Sequence, residues 1–144
     1  MSAPLREWRL QDCIISFAGI TFSGGADGEV ATLEMAGDDW GDVNGSDGEV
    51  TRYATNEARA TLTLKLMQTS QMIPPLMALR AKDLNTRNGA GVGAVQIENI
   101  VTGEMFESSA GWIQRAPNQS YDRAATTREF PIRCANPVFT PASA

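Results

Sequence analysis

Apolar and polar residues alternate along most of this 144-residue chain, the period expected of half-buried strands. The clearest run is Arg59–Met67, where Ala60, Leu62, Leu64 and Leu66 fall on one face and Arg59, Thr61, Thr63 and Lys65 on the other. Residues 29–35 set Ala31, Leu33 and Met35 against Thr32 and Glu34, and residues 94–101 set Val95 and Ile97 against Gln96 and Glu98. In residues 10–18, Cys13, Ile15 and Phe17 alternate, and Ile14 makes that strand apolar on both faces. Residues 106–114 place Phe106, Ala110 and Trp112 together. Residues 126–134 do the same for Phe130, Ile132 and Cys134, with Pro131 marking an edge position.

One segment breaks the alternation. Ser70 is placed to cap a helix, Pro74 and Pro75 suit a first turn, and Leu76, Met77, Leu79 and Leu84 form an apolar stripe. The spacing predicts a helix over about residues 74–85. About seven or eight strands and one flanking helix describe a mainly β fold, an antiparallel β-sandwich or partial barrel. The chain divides into an N-terminal arm (1–9), a single domain (10–135) and an extended C-terminal tail (136–144) that carries Pro137 and Pro141.

Two Asp-Gly turns echo each other, in residues 25–30 and 45–50, and each feeds a strand. Between them, residues 36–45 collect Asp38, Asp39 and Asp42 with three glycines around Trp40. A polar glycine-rich loop has no local use for a tryptophan. Trp40 is either an anchor for a partner or folds back on the sheet.

Composition narrows the chemistry. The chain has 17 acidic residues, 12 basic ones and no histidine, for a net charge of −5. Histidine-dependent triads, Cys/His zinc sites and imidazole proton shuttles are thereby excluded. An acidic balance also argues against a phosphate grip, and the ten arginines and two lysines are scattered singly. The arginine bias fits either carboxylate pairing across subunits or the drift of a GC-rich genome. Eleven acids and five bases lie in residues 1–72, six and seven in residues 73–144. The acidic half is either a solvated face or one end of a head-to-tail contact.

No apolar run approaches the roughly 18–20 residues that a membrane helix needs, and charges interrupt residues 1–9, so neither membrane insertion nor a secretory signal is expected. Cys13 and Cys134 read as buried free thiols of a cytosolic product, although a disulfide between first and last strands is geometrically open. The glycines of residues 89–93 follow a helix and precede a strand, the reverse of a phosphate cradle. Residues 42–48 imitate a calcium loop, but the glycine is one place late and Tyr53 stands where a bidentate Glu is needed. A carboxylate hydrolase would have to use Asp38, Asp39 and Asp42, which have no rigid support in the pattern. No catalytic residue, cofactor or metal is expected.

The ordered motifs Ala26-Asp27-Gly28-Glu29, residues 45–52 (GSDGEVTR), Ala60-Thr61-Leu62-Thr63-Leu64 with Gln68-Thr69-Ser70, Gly111-Trp112-Ile113 and Arg128-Glu129-Phe130 resemble the tail tube proteins of contractile-tailed bacteriophages. The resemblance spans roughly residues 10–135; the arginine-bearing start and the proline-containing tail depart from it. It implies a virion protein, assembled in the host cytoplasm, that closes into hexameric rings. Strands from each copy would join one inner β-barrel, and rings would stack into a tube inside a sheath. The lumen would hold a tape measure protein and conduct phage DNA without sequence-specific binding. A tail terminator, a baseplate tube protein, or a type VI secretion or tailocin tube is the alternative. In such proteins the loop after the second strand reaches a neighbouring copy, which maps an interface onto Asp38, Asp39, Trp40, Asp42 and Asp47. Glu29, Glu34 and Glu49, on or beside strands, are the candidate lumen-facing acids; a mildly phosphate-repelling wall suits passing DNA.

Overall fold

The computed structural model describes residues 5, 7–25, 28–86 and 88–141. Residues 1–4 and 6 of the expected arm, 142–144 of the expected tail, and Ala26 and Asp27 of the first Asp-Gly turn lie outside the described residues. Among the described residues, a 3-10 turn at Leu10–Asp12 opens the chain. There follow β1 (Cys13–Phe17), β2 (Ile20–Thr21), β3 (Ala31–Met35), β4 (Trp40–Asn44), β5 (Val50–Ala54) and β6 (Arg59–Met67). Helix α1 (Ile73–Thr86) comes next, then β7 (Gly93–Asn99), β8 (Met105–Ile113), β9 (Thr127–Ala135) and β10 (Val138–Thr140). All pairings are antiparallel. One large sheet has the order β2-β1-β7-β8-β9-β6-β3, with β10 beside β8, and β4 and β5 form a separate hairpin. The expected mainly β partial barrel with one helix is what the chain forms.

β6 and β9 make the centre, paired over their whole length from Arg59↔Ala135 to Met67↔Thr127. That register sets Leu62 against Ile132 and Leu64 against Phe130, all of them fully buried with Ala60, Leu66 and Cys134. The two-residue alternation thus becomes one apolar face, and each large side chain there contributes about 1.5–3 kcal/mol. Phe17 of β1, Val95 of β7, Phe106 of β8, and Met72, Ile73 and Leu76 at the helix complete the core.

β9 is an interior strand, between β6 and β8, yet it contains Pro131. The proline sits one residue beyond the last β8–β9 pair, Ile113↔Ile132, and its carbonyl accepts the Gln114 N–H at 2.9 Å. Its missing donor therefore faces the place where β8 runs out, a local edge inside the sheet. The stretch expected as tail contributes β10. Ala110↔Ala135 and Glu107↔Val138 keep one register, so β9 and β10 are a single strand interrupted at residues 136–137, where Asn136 takes a φ of 50°.

The sheet curls until its two edges are linked at one end. Phe22, just past β2, donates to Ile15 of β1 at 2.8 Å. Two residues later the Gly24 carbonyl accepts from Met67 of β6 at 3.0 Å, and Gly25 bridges to Leu66. Helix α1 begins at this same end. Ser70 Oγ accepts the Met72 N–H at 3.2 Å and donates to the Ser23 carbonyl at 2.8 Å. The helix also finishes near this end, because Asp83 Oδ1 accepts the Gly91 N–H at 3.2 Å two residues before β7. A side chain at Gly91 would collide with Asp83. The opposite end, where β6 starts at Arg59, stays open.

Cys13 and Cys134 are both free. β7 and β8 stand between their strands. Cys134 is fully buried, and burial pushes its thiol up to about 11. Cys13 is only partly covered; its thiol is also raised, first by burial and then by Glu104 and Asp12.

Candidate assembly surfaces

The segment read as a polar loop is in fact a hairpin. β4 and β5 pair from Trp40↔Ala54 to Asn44↔Val50, and of their ten residues all but Gly41 are exposed to solvent. The tip is the expected Asp-Gly turn. Gly48 takes a φ of 87°, Asp47 Oδ1 accepts the Glu49 N–H at 3.1 Å, and the Gly45 N–H donates to the Glu49 carbonyl at 2.6 Å. At the base, the Thr55 N–H donates to the Asp39 carbonyl at 3.0 Å, and the Thr55 hydroxyl donates to the Asp38 carbonyl. Among the described residues, none of the hairpin belongs to the core cluster or to the partly buried hydrophobics packed against it, and an isolated pair of strands is marginal in water.

Trp40 does not fold back on the large sheet. It is 53% exposed, and the guanidinium of Arg52 lies 3.5 Å from its ring centre. Pairing puts Trp40, Asp42, Val50 and Arg52 on one face of the hairpin, with Val43, Thr51 and Tyr53 on the other. Tyr53 lies over Gly41 so closely that a side chain at 41 would collide with its ring. The interface residues named from the sequence are spread along this element: Asp38 and Asp39 at its base, Trp40 and Asp42 in β4, Asp47 at the tip. They do not converge on a cleft. Among the described residues no three Asp, Glu or Cys side chains are arranged to hold a metal ion.

The three candidate lumen acids are likewise apart. Glu29 lies 3.6 Å from Lys65 near the closed end, Glu34 is exposed on β3 opposite Thr61, and Glu49 stands at the hairpin tip.

Sequence reasoning missed two depressions at the open end. An apolar cavity of about 310 Å³ is lined by Trp8, Leu33, Ile97, Phe106 and Phe139, with Cys13 and Glu104 at its side. It occupies the mouth that the unlinked edges leave between β1 and β3. A larger open groove of about 780 Å³ runs beside the hairpin base. Exposed Met35, Val138 and Phe139 line it together with Asp38, Asp39 and Glu57. Glu57 is gripped by Arg59 at 2.6 and 3.0 Å, which holds its carboxyl below the usual range. Asp38 and Asp39 have no ion-pair partner among the described residues.

No protein-family model matches the chain, and no curated protein matches it. Its fold is similar to solved structures. One is the PVC sheath/tube terminator of an extracellular contractile injection system in the extended state. That likeness has a TM-score of 0.63 at 9% identity and covers 96% of this chain and 100% of the other. Another is the tube-terminating cap of the anti-feeding prophage, with a TM-score of 0.62 at 9% identity over 99% of this chain and 96% of the other.

Proposed function

We propose that the chain is a non-enzymatic structural subunit of a contractile tail or injection tube, forming the ring that terminates the tube. The observation that carries this reading is the likeness of fold to two tube-terminating proteins over nearly the full length of all three chains. The exposed hairpin supports it, since a marginal two-stranded element gains its order by docking on a neighbour. In this role the chain joins copies of itself in a ring, meets the tube on one side and the sheath end on the other, and performs no chemistry.

A repeating tube subunit is the second reading, favoured by the phage-tube motifs and by an acidic hairpin at one end of the barrel only. There the rings would be hexameric and stacked, with tape measure protein and then DNA passing through. Glu34 would be the acid best placed to face that lumen, being exposed on a strand of the main sheet. Electron microscopy of the purified protein separates the two: single rings for a terminator, long rods for a tube subunit. Copy number in isolated particles gives the same answer, one ring's worth against many. A chain that stays monomeric at every concentration overturns both.

A further inference from the structure

We propose that the acidic groove beside the hairpin receives the Tyr121 loop of a second copy of this chain, joining copies head to tail. This rests on the reading that the chain assembles with itself, and adds where the contact is made. The loop, residues 114–126, connects β8 to β9 at the closed end of the barrel. There Gln68 Oε1 accepts from the Thr126 N–H at 2.9 Å and hydroxyl at 2.7 Å, while the Gln68 N–H donates to the Thr126 carbonyl at 3.0 Å. The groove lies at the other end, where Ala58 and Asn136 flank the first β6–β9 pair. The nine residues of β6, at about 3.3 Å each, hold the two ends about 30 Å apart. One copy therefore cannot fill its own groove.

The surfaces match in chemistry. Tyr121 is 79% exposed and has exposed Arg115 and Arg123 on either side of it in the loop. An apolar ring with a polar tip fits a floor of Met35, Val138 and Phe139. The guanidinium groups fit the unpaired carboxylates of Asp38 and Asp39, which arginine meets with two parallel hydrogen bonds. Asp122 is the one acid in the loop, and its carboxylate accepts the Arg123 N–H at 2.6 Å. The guanidinium of Arg128 lies over the Tyr121 ring, 5.9 Å from its centre.

Charge at large scale points the same way. Lys82 and Arg80 of α1 share the loop's end, while Asp12 and Glu104 share the groove's end with the hairpin acids. The hairpin acids thus lie toward the groove's end of the barrel and the loop arginines at the other, with Glu29 paired to Lys65 at the loop's end and Arg59 paired to Glu57 at the groove's. A contact between unlike surfaces is heterologous, so it either closes a ring or continues as a filament.

Two charge-reversal variants test this, Asp38→Arg with Asp39→Arg, and Arg115→Glu with Arg123→Glu. Each is expected to keep its far-ultraviolet circular dichroism and thermal midpoint but to need about a hundredfold more protein to assemble. Mixed in equal amounts they should associate again by analytical ultracentrifugation, since the unaltered loop of the first meets the unaltered groove of the second and the acidic reversed loop of the second faces the basic reversed groove of the first. Tyr121→Ala, a loop truncation that leaves the core untouched, should weaken assembly at least about tenfold and reads the same contact should a reversal variant misfold. Either reversal variant assembling like the wild type, or a mixture that stays monomeric while the wild type assembles, overturns this docking and leaves the self-assembly reading standing. A wild type that never assembles overturns both.

Discussion

The guanidinium of Arg52 lies over the indole of Trp40, 3.5 Å from its centre, and both belong to the same exposed hairpin. The tryptophan is thus presented outward on a prepared platform. A cation over an indole contributes about 0.5–1 kcal/mol when exposed, so it orders the hairpin locally without anchoring it to the core.

Trp40→Ala should therefore leave the thermal midpoint of the monomer nearly unchanged, within about 2 °C, while abolishing assembly seen by electron microscopy. Arg52→Ala should do the same more weakly. A large drop in midpoint for either variant would mean that the hairpin supports the barrel.

Gly41→Val should drive the Tyr53 ring off its place, because there is no room for a side chain beneath it. The expected signature is a shift in the Tyr53 ring resonances and impaired assembly, with the resonances of β6 and β9 unmoved.

Leu62→Ala is the contrasting case. Leu62 is fully buried between Leu33 and Ile132 in the register of the main sheet, and truncation should cost about 2–5 kcal/mol in chemical denaturation. A loss under about 1 kcal/mol would show that the centre of the sheet tolerates a cavity by collapsing.

Cys134 makes stability depend on alkaline pH. Its thiol titrates at about 11 in the fold and near about 8.5 once unfolded. Above the lower value the unfolded chain alone gives up the proton, so stability is complete below about pH 8.5 and is lost progressively up to about pH 11. Cys134→Ala should remove that component of the alkaline decline in denaturation curves, and a thiol reagent should modify Cys13 well before Cys134.

The parts of this fold legible in the sequence are those whose two faces differ in environment. Arg59–Met67 declares itself because every second residue is fully buried. The helix declares itself through Pro74, Pro75 and the buried Leu76, whereas Leu84 at the end of the apolar stripe is exposed. β4 and β5 gave no such signal, since water reaches both of their faces and alternation has nothing to record; only Asp47-Gly48 marked the turn. The groove was invisible for another reason. Met35 and Phe139 are far apart in the chain, and only the register of β3, β6, β9 and the interrupted β10 brings them to one wall. Pro131 misleads in a similar way, as a proline can sit within an interior strand wherever its neighbour ends.

The linkage of the sheet edges through Gly24 and Gly25 also has a mechanical side. A curled sheet fastened at one end behaves like a spring clip, stiff at the fastening and compliant at the jaws. The jaws here are β1 and β3, and the hairpin hangs from the second of them. In the proposed assembly a neighbour that grips the hairpin pulls on the unfastened end of the sheet, while the links of Gly24 to Met67 and Gly25 to Leu66 tie the other.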